Sequence, residues 1–178
     1  MTCPQRSFLT LAVLLSACTA QAGGAEPRTP FAVLRRAGLS ETPRFEQARA
    51  SFTVWRWSSQ PPLFLLASSE ATQPSSAGQL RAFEVWGNLR PQESTSSVLT
   101  ALTQAATALG AGCLGHLPPA PLLTALKQAP TLPVGWSRQW PGGWSLTVQA
   151  GATAGERQVK VAGKLAAHRK PSCDMPTT

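Results

Sequence analysis

Residues 144–165 alternate with a period of two. Trp144, Leu146, Val148 and Ala150 interleave with Ser145, Thr147 and Gln149. After a turn at Gly151 to Gly155, Val159, Val161 and Leu165 interleave with Gln158, Lys160 and Lys164. Successive side chains of a strand point to opposite faces, so this pattern specifies a hairpin with one buried and one polar face. The buried face needs a cover, and the sequence supplies helices. Ser94 to Gly112 sets Val98, Leu102, Ala105 and Leu109 on one stripe, with Leu99 and Ala106 beside it. Ser94 or Ser96 is placed to cap its start, and Gly110 or Gly112 to end it. Pro119 to Ala129 reads as a short helix with Leu122, Leu123 and Leu126 on one side.

The first half carries comparable signals. Phe31 to Gly38 has helical spacing, and Glu41 to Ala50 reads as a second short helix after Pro43. Three strands follow. Ser51 to Trp57 is aromatic and β-branched, Leu63 to Ala67 is a continuous apolar run expected of a fully buried strand, and Leu80 to Trp86 is the third. Ser68 to Gly78 reads as a loop. A further strand is expected around Val134 to Trp140, turned by Pro141-Gly142-Gly143. The expected fold class is therefore α+β: a single domain with an antiparallel sheet packed with helices across one or both faces. The two halves suggest an α-βββ unit used twice; the alternative is that both merely contain Trp and turns. In element order the chain resembles envelope lipoproteins of the PsbP/Mog1 type. That is an analogy of architecture with no motif behind it, and fold does not imply function.

At the N-terminus, Arg6 precedes an apolar run from Phe8 to Ala17. About 20 apolar residues are needed to cross a bilayer, so this run reads as a secretory leader. Leu15-Ser16-Ala17-Cys18 resembles the lipobox of bacterial lipoproteins at all four positions. The resemblance implies a diacylglycerol on the Cys18 thiol, cleavage before it, and a chain held on a membrane by lipid. Ala20-Gln21-Ala22 offers a competing site of the ordinary signal-peptidase kind, which would release a soluble protein starting at Gly23. The expected organisation is a signal peptide at 1–17, a lipid-attached tether at 18–30, an α+β domain at 31–166 and a C-terminal tail at 167–178.

Four cysteines are present in the 178 residues. Cys3 leaves with the leader, and Cys18 takes the lipid or leaves too. Cys113 and Cys173 remain, an even pair that in an exported protein reads as one disulfide. The same two thiols with His116 and His168 also offer a tetrahedral zinc set, and Cys113 with His116 a nucleophile pair. Net charge is +8 for the whole sequence. The basic residues are dispersed, which suits a solvated surface or weak attraction to anionic lipid or an acidic envelope polymer. Among the residues after Cys18, Arg28, Arg35 and Arg36 are the nearest basic ones. No nucleic-acid motif is present, so no nucleic-acid partner is expected.

The inventory argues against catalysis. There is no Tyr, and Asp174 is the only Asp. The Glu residues show no paired spacing, and the serines after Trp136 and Trp144 lack the second glycine of a nucleophile elbow. Gly163-Lys164 lacks the rest of a phosphate loop. No cofactor and no catalytic residue is expected. The six tryptophans suit either core packing or an exposed aromatic platform, with Trp55, Trp57, Trp140 and Trp144 the pairs to watch. These features together imply a membrane-tethered accessory or binding module. A soluble secreted ligand-binding protein is the alternative, and an envelope hydrolase a more distant one.

Overall fold

The computed structural model describes residues 29–39, 43–49, 52–57, 63–68, 79–91, 94–166, 168–170 and 172–174, with backbone alone for 43–49 and 52–57. The element order is α1 (Pro30–Arg36), β1 (Pro43–Arg49), β2 (Phe52–Trp57), β3 (Leu63–Ser68), β4 (Ala82–Leu89), α2 (Thr95–Leu109), a π-helical turn (Gly110–Leu114), α3 (Ala120–Gln128), β5 (Ser137–Trp140), β6 (Trp144–Ala150) and β7 (Arg157–Lys164). The strands form one seven-stranded sheet in the order β1-β2-β3-β4-β7-β6-β5. Every pairing is antiparallel. Two meanders, the four-stranded β1-β2-β3-β4 and the three-stranded β5-β6-β7, meet edge to edge at the β4–β7 pairing.

Helices cover one face. α2 packs on β4 and also touches β3 and β7, while α3 packs on β6 and α1 on α2 and the π turn. Beneath them lie the buried alternates Leu63, Leu65, Ala67, Phe83, Val85, Leu146, Val148, Val159 and Val161. The helical stripe of Val98, Leu102, Ala105, Ala106 and Leu109 meets this face. Gly87 lets α2 come close: a Cβ there would lie 2.7 Å from Val98 Cγ1. Thr95–Leu114 has a mean hydropathy of 1.3 and is long enough to cross a membrane. Its apolarity is accounted for by the stripe it buries against the sheet. Thr29 caps α1 by accepting from the Ala32 amide at 3.2 Å, with Pro30 in the first turn.

Several expectations need correction. Glu41 to Ala50 is no helix: Pro43–Arg49 is strand β1. It has no apolar helical stripe to bury, whereas pairing with β2 satisfies its backbone, and Pro43 opens the edge strand where it has no ladder bond to lose. Leu63 to Ala67 is not buried on both sides, because Phe64 and Leu66 lie half-buried on the face opposite the helices. The long helix does not stop at Gly110. It continues as the π turn and ends at Gly115, in the left-handed region at φ 70°. Strand β5 starts three residues later than expected, at Ser137, since Val134-Gly135 is a turn with Gly135 at φ 91°.

Candidate functional site

The π turn brings together the residues that sequence had marked in separate places. π bulges concentrate at functional positions. Cys113 sits on it, buried, and is disulfide-bonded to Cys173 with a Cα–Cα distance of 4.8 Å. The C-terminal tail meets the carbonyls that the widened turn leaves without helical partners. The Ser172 hydroxyl lies 2.8 Å from Gly112 O and 2.9 Å from Cys113 O. The Arg169 guanidinium donates to Gly115 O at 2.9 Å. Gln79 bridges to Asp174, and the Leu80 amide donates to Cys173 O at 2.9 Å, which ties the tail to the start of β4.

His116 follows the turn, its amide donating to Gly110 O at 3.1 Å. Its Nδ1 accepts from Trp144 Nε1 at 2.9 Å. An imidazole accepting at Nδ1 carries its proton on Nε2 when neutral. That Nε2 is buried without a hydrogen-bond partner, as is Trp140 Nε1. The Trp144 ring meets Phe83 edge-on at 5.8 Å and His116 edge-on at 5.5 Å. Gly110 makes room for it, since a Cβ there would lie 2.8 Å from the indole. Trp140 is the register partner of Trp144, with Trp136 tilted against it at 6.4 Å and the Arg138 guanidinium 5.4 Å from its ring centre. This cluster is core. One His116 nitrogen is committed to Trp144 and the other is shut from solvent. The Cys113–His116 nucleophile is excluded because Cys113 is bonded to Cys173. His168 is exposed, and among the described residues no group of three or more His, Cys, Asp or Glu is placed to hold a metal ion.

The second arrangement lies on the face opposite the helices. Phe64 and Trp86 are cross-strand partners, stacked at 5.4 Å with planes 9° apart. Lys160, the partner of Trp86 on β7, holds its Nζ 5.7 Å from the Trp86 ring centre and 2.9 Å from Glu84 Oε2. The row continues through Thr147 on β6 to Ser137 on β5, whose hydroxyls are 3.1 Å apart. In the other direction it reaches the backbone positions of Arg56 and Arg44. Sequence reasoning missed this row. Its signal was there in the second and fourth members of the apolar run, Phe64 and Leu66, which read as core because the run is continuous.

The remaining candidates separate. Cys18 and Arg28 lie outside the described residues, as do the side chains of Trp55 and Trp57. Arg35 and Arg36 are exposed in the last turn of α1. A cleft of about 760 Å³ beside α2 is lined by Thr95, Ser96, Leu99, Thr103 and Lys127 among others.

Glu156, the buried charged residue of the core, closes the β6–β7 turn. Its carboxylate accepts from Arg90 Nε at 3.0 Å and from the Thr153 amide and hydroxyl, each at 3.1 Å. The Arg90 bond first, with the Thr153 bonds and Arg90's charge assisting, holds this carboxyl below its usual 4.5 against the opposing cost of burial. A depressed folded value means the stabilisation is present above the unfolded value and lost as pH falls through the folded one. Glu156→Gln is therefore expected to cost about 1–3 kcal/mol at neutral pH. In urea unfolding the gap to the parent should shrink only below about pH 4.5. A gap that is flat down through pH 3 contradicts this assignment.

No family model, curated protein or solved structure matches the chain.

Proposed function

We propose that this chain is a cell-envelope lipoprotein, held on a bacterial membrane by lipid on Cys18. Its single α+β domain acts outside the cytoplasm as a non-catalytic binding or accessory module. The observation that carries the reading is the Cys113–Cys173 disulfide, which closes a loop of 60 residues in sequence. Such a bond belongs to an oxidising compartment, the same place to which the leader and Leu15-Ser16-Ala17-Cys18 direct the chain. The non-catalytic part is supported by what the described polar groups are already doing. Glu156 is engaged by Arg90 and Thr153, Glu84 by Lys160, and His116 by Trp144. The module still needs a surface, and the side of the sheet opposite the helices offers aromatic and basic groups at half-exposure.

Cell fractionation tests the anchor. The parent chain should sediment with membranes, and Cys18→Ser should be released or accumulate unprocessed. Two acyl chains are sufficient for stable anchoring. A parent chain found wholly in the soluble exported fraction contradicts the proposal and favours cleavage after Ala22.

A further inference from the structure

We infer that the helix-free face of the sheet is a docking surface for the anionic phospholipid surface to which the chain is tethered. The inference deepens the lipoprotein reading and rests on it for the proximity of a bilayer. Three observations carry it. α2 and α3 pack on the sheet face that carries the buried alternates, with α1 on α2, and no described helix packs on the other face. That other side holds Phe64, Leu66 and Trp86 at half-exposure, a compact apolar patch in the middle of a broad sheet. Basic positions border the patch: Lys160 beside Trp86, exposed Lys164 four residues further along β7, and the backbone positions of Arg56 and Arg44 in the same cross-strand row.

The chemistry fits an interface between water and lipid. Indole rings favour the headgroup level, where the apolar body is covered and the N–H stays wet. Lysine stems lie along apolar surface and send the ammonium outward to phosphate. Lys160 is already stationed this way, its ammonium beside the Trp86 ring. Its partner Glu84 neutralises it in water. The net attraction therefore falls to the exposed Lys164. A seven-stranded sheet presents a broad surface, which suits a bilayer better than a narrow ligand. The tether would keep the domain within reach, so weak docking is sufficient.

The test uses the full chain as purified, placed on vesicles of phosphatidylcholine with or without phosphatidylglycerol, some carrying brominated acyl chains. Trp86→Phe keeps a ring against Phe64, and the difference between it and the parent isolates Trp86 fluorescence. Trp86 is expected to be quenched by brominated lipid in anionic vesicles and to recover at high salt. Lys164→Gln, an exposed change that should leave the melting temperature alone, is expected to shift the docked population about fivefold toward undocked. Trp86 emission that ignores brominated lipid in anionic vesicles overturns the inference. So does equal quenching in neutral vesicles, or shielding of Trp86 by an anionic polysaccharide alone, which would make a polymer the occupant. Intact mass of the same sample reads Cys18 separately. An unlipidated chain can still report docking, and a lipidated one can still fail to dock.

Discussion

Replacing Cys113 and Cys173 together by alanine is expected to lower the unfolding free energy by about 4 kcal/mol. The estimate follows from the 60-residue separation, through the entropy that the cross-link removes from the unfolded chain. Domains are commonly stable by only about 5–15 kcal/mol, so the loss is a large share. The melting temperature should fall by roughly 8–16 °C for a domain of this size. The bond also holds together contacts that are individually weak. Without it, the tail from Arg169 to Asp174 relies on the Ser172 and Arg169 bonds to the π turn and on the bridge from Asp174 to Gln79. The Leu80 amide, bonded to Cys173 O, should then lose hydrogen-exchange protection ahead of the β4–β7 ladder. Thermal melts of oxidised parent and double variant measure the effect. A fall of less than about 1 kcal/mol would mean the tail is held by its hydrogen bonds, with little contribution from the cross-link.

Trp144→Ala should be comparably damaging, at about 3–5 kcal/mol. Trp144 is 1% exposed and among the largest side chains that are fully buried. It fills the space among Phe83, His116 and the glycine of the π turn. Removing it leaves a cavity at the junction of sheet, turn and disulfide. It also takes away the donor to His116 Nδ1. Trp144→Phe separates the two effects. It keeps most of the packing and loses the hydrogen bond, and should cost about 1–3 kcal/mol, in the range of a buried polar atom left unpaired. Urea unfolding of both variants gives the comparison. Equal losses for Ala and Phe would assign the whole effect to the bond, against the cavity account.

The elements that declared themselves in sequence are those with a strict period and one clear solvent side. The β6–β7 hairpin did so through Leu146, Val148, Val159 and Val161, all buried. So did α2, whose expected stripe is the buried one. Elsewhere local pattern was overruled by pairing. Pro43–Arg49 is a strand because β2 lies beside it, a fact no local window contains. The apolar run Leu63 to Ala67 hid a face, because Phe64 and Leu66 are as apolar as the buried Leu63 and Leu65. The glycines after α2 read as a stop. Instead, the helix runs on through them as a π turn, with Gly110 admitting the Trp144 ring and Gly112 the Val33 side chain. The cysteine pair was legible from its even count, but its position against a π turn was not. The cross-strand row of Phe64, Trp86 and Lys160 depends on register between β3, β4 and β7, which sequence alone leaves open.

The start of the mature chain decides whether lipid anchors the protein, and intact mass spectrometry of the protein from the membrane fraction reads it directly. The expected mass is that of a polypeptide beginning at Cys18, with Cys113 and Cys173 oxidised and a diacylglyceryl group, with or without a further acyl chain, on the N-terminal cysteine. A mass corresponding to an unmodified chain beginning at Gly23 would contradict the lipid anchor and leave a soluble exported protein in its place.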